Sequence, residues 1–251
     1  MEVLYRLVSN FKISSPPQPL PRWNLDVVLV YLRSPSFEPM GDISLWLLTA
    51  KTLFFLALAT AERVYEIHAV SRSIGWRDGS AALSFVPSFR ATTESVDRPL
   101  PRCFEVKNLE TLVPGEPERF QCPVRALRYY VRRTSGLRGP SDHLFCAVGV
   151  PRLPLIKSFV SKLLKELIVE AHRWVSSQVL PLMRVQAHDV CGVAAFLAAY
   201  RGVPLARILD AACWNPPSVF VGRYLRGVAL LYGEVSLLGP LVAADQLLDS
   251  T

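Results

Sequence analysis

Residues 187–192 read Ala187-His188-Asp189-Val190-Cys191-Gly192, and small apolar residues follow as far as Gly202. His188 therefore opens a helix, and Gly202 is its natural stop. Working outward, Pro204 to Ala212 reads as a short helix that leads into Ala212-Cys213-Trp214. Pro217 to about Leu231 reads as a longer one, with Val219, Tyr224 and Val228 spaced along it. Upstream, Ser158 to Val179 carries Phe159, Leu163, Leu167 and Val169 at helical intervals. Pro123 sits at the first position of a helix reaching Thr134, whose Val124, Leu127 and Val131 face inward. Asn24 caps a helix to about Arg33, Ser44 starts a long apolar helix ending near Ala61, and a short helix carries Val64 to Val70. Only between Gly75 and Pro117 does the pattern turn β-like, at Phe85-Val86 and Phe104 to Val106, among Gly, Pro, Ser and Asp clusters. The expected class is mainly α with a small antiparallel β-sheet (α+β).

Composition narrows the class of partner. The chain has 251 residues, is 51% hydrophobic and 20% charged, and so can bury a full core. Lys and Arg number 28 against 21 Asp and Glu, a net charge of +7 that suits a polyanionic partner or an ordinary basic protein. Five scattered cysteines with no CxxC pair argue against a disulfide framework or a zinc ribbon and fit a reducing, intracellular compartment, nuclear or cytoplasmic. No signal-peptide pattern opens the chain, so secretion is not expected. The apolar run Leu45 to Ala61 holds Lys51 at its centre and falls short of the ~20 residues a bilayer needs, so it reads as a buried helix. Arg125, Arg128 and Arg132 follow i, i+3, i+7 spacing, which aligns three charges on one outer helix face. That face could contact phosphates or simply be solvated.

A phosphodiester can be cut without water or metal if a side chain takes it up. Tyrosine can do this, although its phenol, with a pKa of ~10, is weak when free. The non-bridging oxygens need cations that keep their charge, which arginine supplies as a planar fork. The leaving oxygen needs a proton donor, and an indole N–H can add one more hydrogen bond. Arg63 with Glu66, His188, Trp214 and Tyr224 are those parts in order, and no metal or cofactor is called for. Taken singly, each has a plainer reading: a surface ion pair, a packed indole, a core tyrosine. The i, i+3 pair His188 and Cys191 could approach a metal, but a buried thiol is the commoner arrangement.

The segment Ala61-Glu62-Arg63-Val64-Tyr65-Glu66-Ile67 resembles the first arginine box of tyrosine recombinases, phage-integrase-like enzymes. The region from Ala187 to Tyr224 resembles their second box. More narrowly, Pro21-Arg22-Trp23-Asn24-Leu25, Phe37-Glu38-Pro39, Leu48-Thr49-Ala50-Lys51-Thr52, Cys122-Pro123-Val124-Arg125-Ala126-Leu127-Arg128 and Pro217-Ser218-Val219-Phe220-Val221 resemble the recombinase of DIRS-type retrotransposons. The resemblance implies catalytic roles for Arg63 and His188 at the phosphate, Trp214 as a late hydrogen-bond donor, and Tyr224 as the nucleophile forming a 3′-phosphotyrosine. It implies double-stranded DNA as partner, strand cleavage and rejoining without cofactor, and a mainly helical catalytic domain. No small-molecule substrate and no membrane are expected.

Two departures from the family pattern stand out. The His-x-x-Arg motif reads His188-Asp189-Val190-Cys191, so the second arginine is a cysteine. The element that carries the family's lysine reads Phe85-Val86-Pro87-Ser88, with Arg90 and Lys107 as candidate substitutes, neither of them at the matching place. The expected organisation is a truncated core-binding remnant and Pro-rich linker over 1–40, a catalytic domain over 41–233, and an apolar tail over 234–251 suited to docking on a second copy. The functional expectations are a recombinase-like DNA-binding domain with impaired cleavage, a working recombinase in which Arg184 or Arg201 stands in for Cys191, and a non-catalytic domesticated scaffold.

Overall fold

The computed structural model describes residues 23–90, 103–112, 115–147, 153–175, 185–204 and 206–208. Arg184, Trp214, Tyr224, Cys213 and the tail over 234–251 lie outside the described residues.

The first helix, α1 (Leu25–Tyr31), begins where the Asn24 side chain accepts the Asp26 N–H at 2.8 Å. The long helix α2 (Leu45–Thr60) begins where Ser44 Oγ accepts the Leu47 N–H at 3.2 Å. Both caps satisfy an amide that the first turn leaves without a carbonyl. From Leu48 to Thr60 every residue of α2 is buried. A helix apolar on all sides must be covered on all sides, and α6 (Pro123–Thr134), α7 (Lys157–Val175) and α8 (Asp189–Tyr200) pack around it. Each of its fully buried Leu and Phe side chains stabilises the fold by about 1.5–3 kcal/mol.

Residues 23–40 belong to this same core. Trp23, Val28, Leu29, Leu32, Phe37 and Met40 are all buried within it. The Asn24 N–H donates to His172 Nε2 at 2.9 Å, and His172 Nδ1 meets the Ile168 carbonyl at 2.9 Å, so the imidazole ties α1 to α7.

The sheet is antiparallel in the order β1 (Gly75–Arg77), β2 (Ser80–Ser84), β3 (Cys103–Lys107). Ala81 pairs with Trp76 on one side and Val106 on the other. Three details differ from the sequence reading. The central strand is Ser80-Ala81-Ala82-Leu83-Ser84, small residues with little β preference, held by neighbours on both edges. Phe85 lies just beyond it and makes an isolated bridge to Val70. Two short helices, α4 (Leu109–Leu112) and α5 (Glu116–Gln121), precede α6 in a stretch read as strand and turn. Gly79 closes the β1–β2 turn at φ +76°, and a Cβ there would meet Thr111 Oγ1 at 3.3 Å, so glycine suits it twice over.

The short helix α3 (Val64–His68) follows α2 through a sharp turn at Ala61, which adopts φ 55°. The left-handed region costs a non-glycine residue about 1 kcal/mol. The turn redirects the chain so that α3 packs against α7 with Arg63 at its start.

Candidate active site

Arg63 caps the N-terminal side of α3. Its own N–H donates to Glu66 Oε2 at 2.6 Å, and Glu66 Oε1 lies 3.7 Å from Arg63 Nη1. Glu66 is fully buried, so the guanidinium is anchored from below while 20% of its side chain stays accessible. Arg63 Nη1 also donates to Tyr65 Oη at 3.0 Å. Beneath this lies a second buried carboxyl, Glu62. Burial pushes its pKa well above the usual carboxylate range, and the charge of Glu66 pushes the same way. Glu62 therefore gives up its proton less readily than an ordinary carboxyl, and Glu66 is the partner that faces Arg63.

His188 approaches from the other side. It is half-buried immediately before α8, and its carbonyl accepts the Gly192 N–H at 3.3 Å. Asp189 opens the helix, with its carboxylate accepting the Gln186 N–H at 2.7 Å. Arg63 and His188, so distant in sequence, line one cleft of roughly 530 Å³ together with Val64, Tyr65, Ser161, Lys165, Gln186 and Ala187. The walls come from α3, from α7 and from the approach to α8.

Cys191 does not open toward that space. It is 1% exposed, and its thiol donates to the His188 carbonyl at 2.8 Å. Among the described residues, no group of three or more metal-capable side chains comes together.

The other cations sort by position. Lys107 pairs with Glu105 at 3.7 Å and sits opposite Ser80, at the end of the sheet away from Phe85. Arg90 is exposed, and it follows Phe89, whose ring lies 6.0 Å from that of Tyr65. Arg90 is thus the nearer of the two to the cleft.

The expected outer face of three arginines is not what forms. Arg125 is only 10% exposed and grips Glu38 bidentately, Nη1 to Oε1 at 2.8 Å and Nη2 to Oε2 at 2.9 Å. Lys51 Nζ donates to the same carboxylate at 2.6 Å and to the Leu32 carbonyl at 2.8 Å. Burial pushes the Glu38 pKa up, but hydrogen bonds from Arg125 and the charge of Lys51 outweigh it and hold the group below its ordinary value. Burial lowers Lys51 to about 8 despite Glu38. Arg133 donates to the Met40 and Ile43 carbonyls, and Arg138 donates to the Leu144 carbonyl at 2.9 Å. Arg128 and Arg132 alone of this set are exposed, over the rings of Trp76 (5.4 Å) and Tyr129 (4.5 Å) respectively.

No family model and no curated protein matches the chain. Solved structures do. The XerH site-specific recombinase bound to difH substrate, in its pre-cleavage complex, aligns with TM-score 0.56 and 14% identity over 89% of this chain and 56% of that one. Its post-cleavage complex with palindromic difH aligns with TM-score 0.55 and 14% identity over 82% and 49%. XerA recombinase aligns with TM-score 0.52 and 12% identity over 86% and 63%.

The fold is that of a tyrosine recombinase catalytic domain. The chain spans between about half and under two thirds of the length of these recombinases.

Sequence reasoning missed Tyr65, Ser161, Lys165 and Gln186 as lining residues. Tyr65 stood inside a quoted motif without a role. Lys165 looks like any solvated position of an amphipathic helix, and nothing local marks it.

Proposed function

We propose that this chain is a DNA-binding, tyrosine-recombinase-like domain derived from a DIRS-type mobile element, with strand cleavage impaired by Cys191. The reading is carried by one observation: Arg63 and His188 line a single cleft. In this scheme Arg63, held by Glu66 and Tyr65, binds the non-bridging oxygens of a phosphodiester. His188 supplies a hydrogen bond or proton on the opposite wall. Tyr224 is the nucleophile, attacking phosphorus and releasing a 5′-hydroxyl strand, and Trp214 donates to the phosphate. Arg128 and Arg132 add backbone phosphate contacts. The apolar segment over 234–251 docks on a second copy on DNA, and the protein works in the nucleus. XerH, which it resembles in fold, is a site-specific recombinase, and both of its structures are bound to difH substrate.

The missing guanidinium sets the expected activity. Losing one donor to a developing oxyanion costs ~10²–10³ in rate, and a full cationic fork costs at least that. A nicked suicide duplex tests this directly. A trace of covalent protein–DNA adduct, abolished in Tyr224→Phe, is the expected result. Duplex binding with no adduct at all favours the scaffold reading, and absence of both binding and adduct at low salt removes the recombinase reading.

A further inference from the structure

Cys191 leaves the α8 wall of the cleft without the positive charge that its position would carry in a His-x-x-Arg turn. The thiol is buried and bonded back to the His188 carbonyl at 2.8 Å, so it offers a phosphate nothing. A phosphodiester held by Arg63 and His188 alone would meet one permanent cation.

Lys165 changes that count. It lines the same cleft from α7, one helical turn after Ser161, which also lines it. Lys165 is exposed. Its neighbour Lys162 is occupied by Glu166 at 3.7 Å, whereas Lys165 makes no ion pair among the described residues. Its positive charge is nevertheless felt at the start of α8. Burial raises the Asp189 carboxyl, and Lys165 is among the groups that pull it back down, after the Gln186 N–H, His188 and Trp23.

We infer that Lys165 is the second cation of this cleft, binding from α7 the same phosphate group that Arg63 and His188 bind, in place of the arginine that α8 lacks. The inference rests on the phosphodiester reading of the cleft and adds a residue to it. A lysine can fill this role because its ammonium carries three donors on a flexible stem and needs no fixed fork. It grips a phosphate less directionally than a guanidinium would, so it favours holding the anion over shaping its reaction.

Two probes separate this inference from the reading beneath it: dimethyl phosphate, a bare phosphodiester, and a short duplex titrated against salt. The variants are Lys165→Met, Lys165→Arg and, as a control one turn away on α7, Lys162→Met. For dimethyl phosphate followed by NMR, Lys165→Met is expected to weaken binding at least fivefold. Lys165→Arg should stay within about twofold of the parent, and Lys162→Met should be unchanged. For the duplex, Lys165→Met should lower the log–log salt slope by about 0.9. Parent-like dimethyl phosphate binding by Lys165→Met, or equal losses in Lys162→Met, overturns the inference while leaving duplex binding intact. Dimethyl phosphate binding through Lys165 without any duplex binding supports the lysine and removes the DNA reading. A parent protein that takes neither probe removes both.

Discussion

The thiol of Cys191 gives its hydrogen to the His188 carbonyl and sits in the core beside Val190 and Ala194, all three 1% exposed or less. A guanidinium placed there must either remain buried or force the first turn of α8 open. Cys191→Arg is therefore expected to lower stability by about 2–4 kcal/mol, against about 1 kcal/mol for Cys191→Ala, measured by urea unfolding. An arginine variant as stable as the parent would mean that the turn repacks and that this burial argument is wrong. Glu62 invites the opposite change. Its carboxyl holds a proton to higher pH in the folded state than in the unfolded chain, where it titrates at about 4.5. Above about pH 4.5 the folded state therefore binds more protons than the unfolded one, and this group's contribution to stability falls as pH rises through its raised folded pKa. Glu62→Gln removes that dependence and leaves an amide N–H facing Glu66. The melting temperature of the variant relative to the parent is expected to rise with pH above about 4.5. A difference from the parent that stays constant with pH would show that the Glu62 carboxyl is not raised in the folded state.

At the scale of the element, α6 presents two kinds of arginine that the sequence made alike. Arg125 closes a half-buried network with Glu38 and Lys51, whereas Arg128 and Arg132 face solvent. Removing Arg125 leaves Glu38 with Lys51 as its ion-pair partner but takes away two charge-assisted hydrogen bonds, at a cost of about 1.5–3 kcal/mol. Arg125→Ala should therefore unfold at markedly lower denaturant. Arg128→Ala and Arg132→Ala should sit within about 0.5 kcal/mol of the parent, while each lowers the salt slope of duplex binding by about 0.9. Equal stability losses at all three positions would refute the distinction. The same contrast explains what could be read in advance. The spacing on α6 was legible because helical periodicity is local. The partner that turns Arg125 inward, Glu38, lies in a distant loop, and no pattern within either segment announces it. The long helix α2 was legible from its unbroken apolar run, and the strand Ser80–Ser84 was not, since alanine and serine carry no β signal and the flanking strands impose the conformation. Arg63, Glu66 and His188 were found as motif members, whereas the cleft that Arg63 and His188 line together depends on tertiary packing that no local pattern announces.

Across the whole molecule, the cleft depends on how α3 is held against α7. His68, the last residue of α3, stacks on His143 with ring centroids 4.9 Å apart. His143 lies on the strand-like segment that bridges Ser71, and it meets Ser141 Oγ at 3.1 Å. Lys157, at the start of α7, adds a positive charge facing His68, while Asp142 faces His143. Burial lowers both imidazoles, and His143 and Lys157 lower His68 further, so this junction resists protonation. In the unfolded chain both titrate at about pH 6.5. Below that value the unfolded state takes up protons that the folded state refuses, and stability falls as pH falls toward the depressed folded pKa values. Glu38, whose folded pKa is held below its ordinary value, adds a second loss only lower still, as pH drops through that depressed value. Glu62 acts in the contrary direction over the upper part of this range, so the measurement belongs in a Glu62→Gln background. There, the melting temperature is expected to decline by several degrees between pH 7 and pH 5.5, and His143→Gln should flatten most of that decline while leaving the lower step in place. Because His68 ends the helix that Arg63 begins, the same acidification should weaken dimethyl phosphate binding in the parent more than in His143→Gln. Parallel pH profiles for the two proteins would mean that the imidazole pair does not govern how α3 is seated.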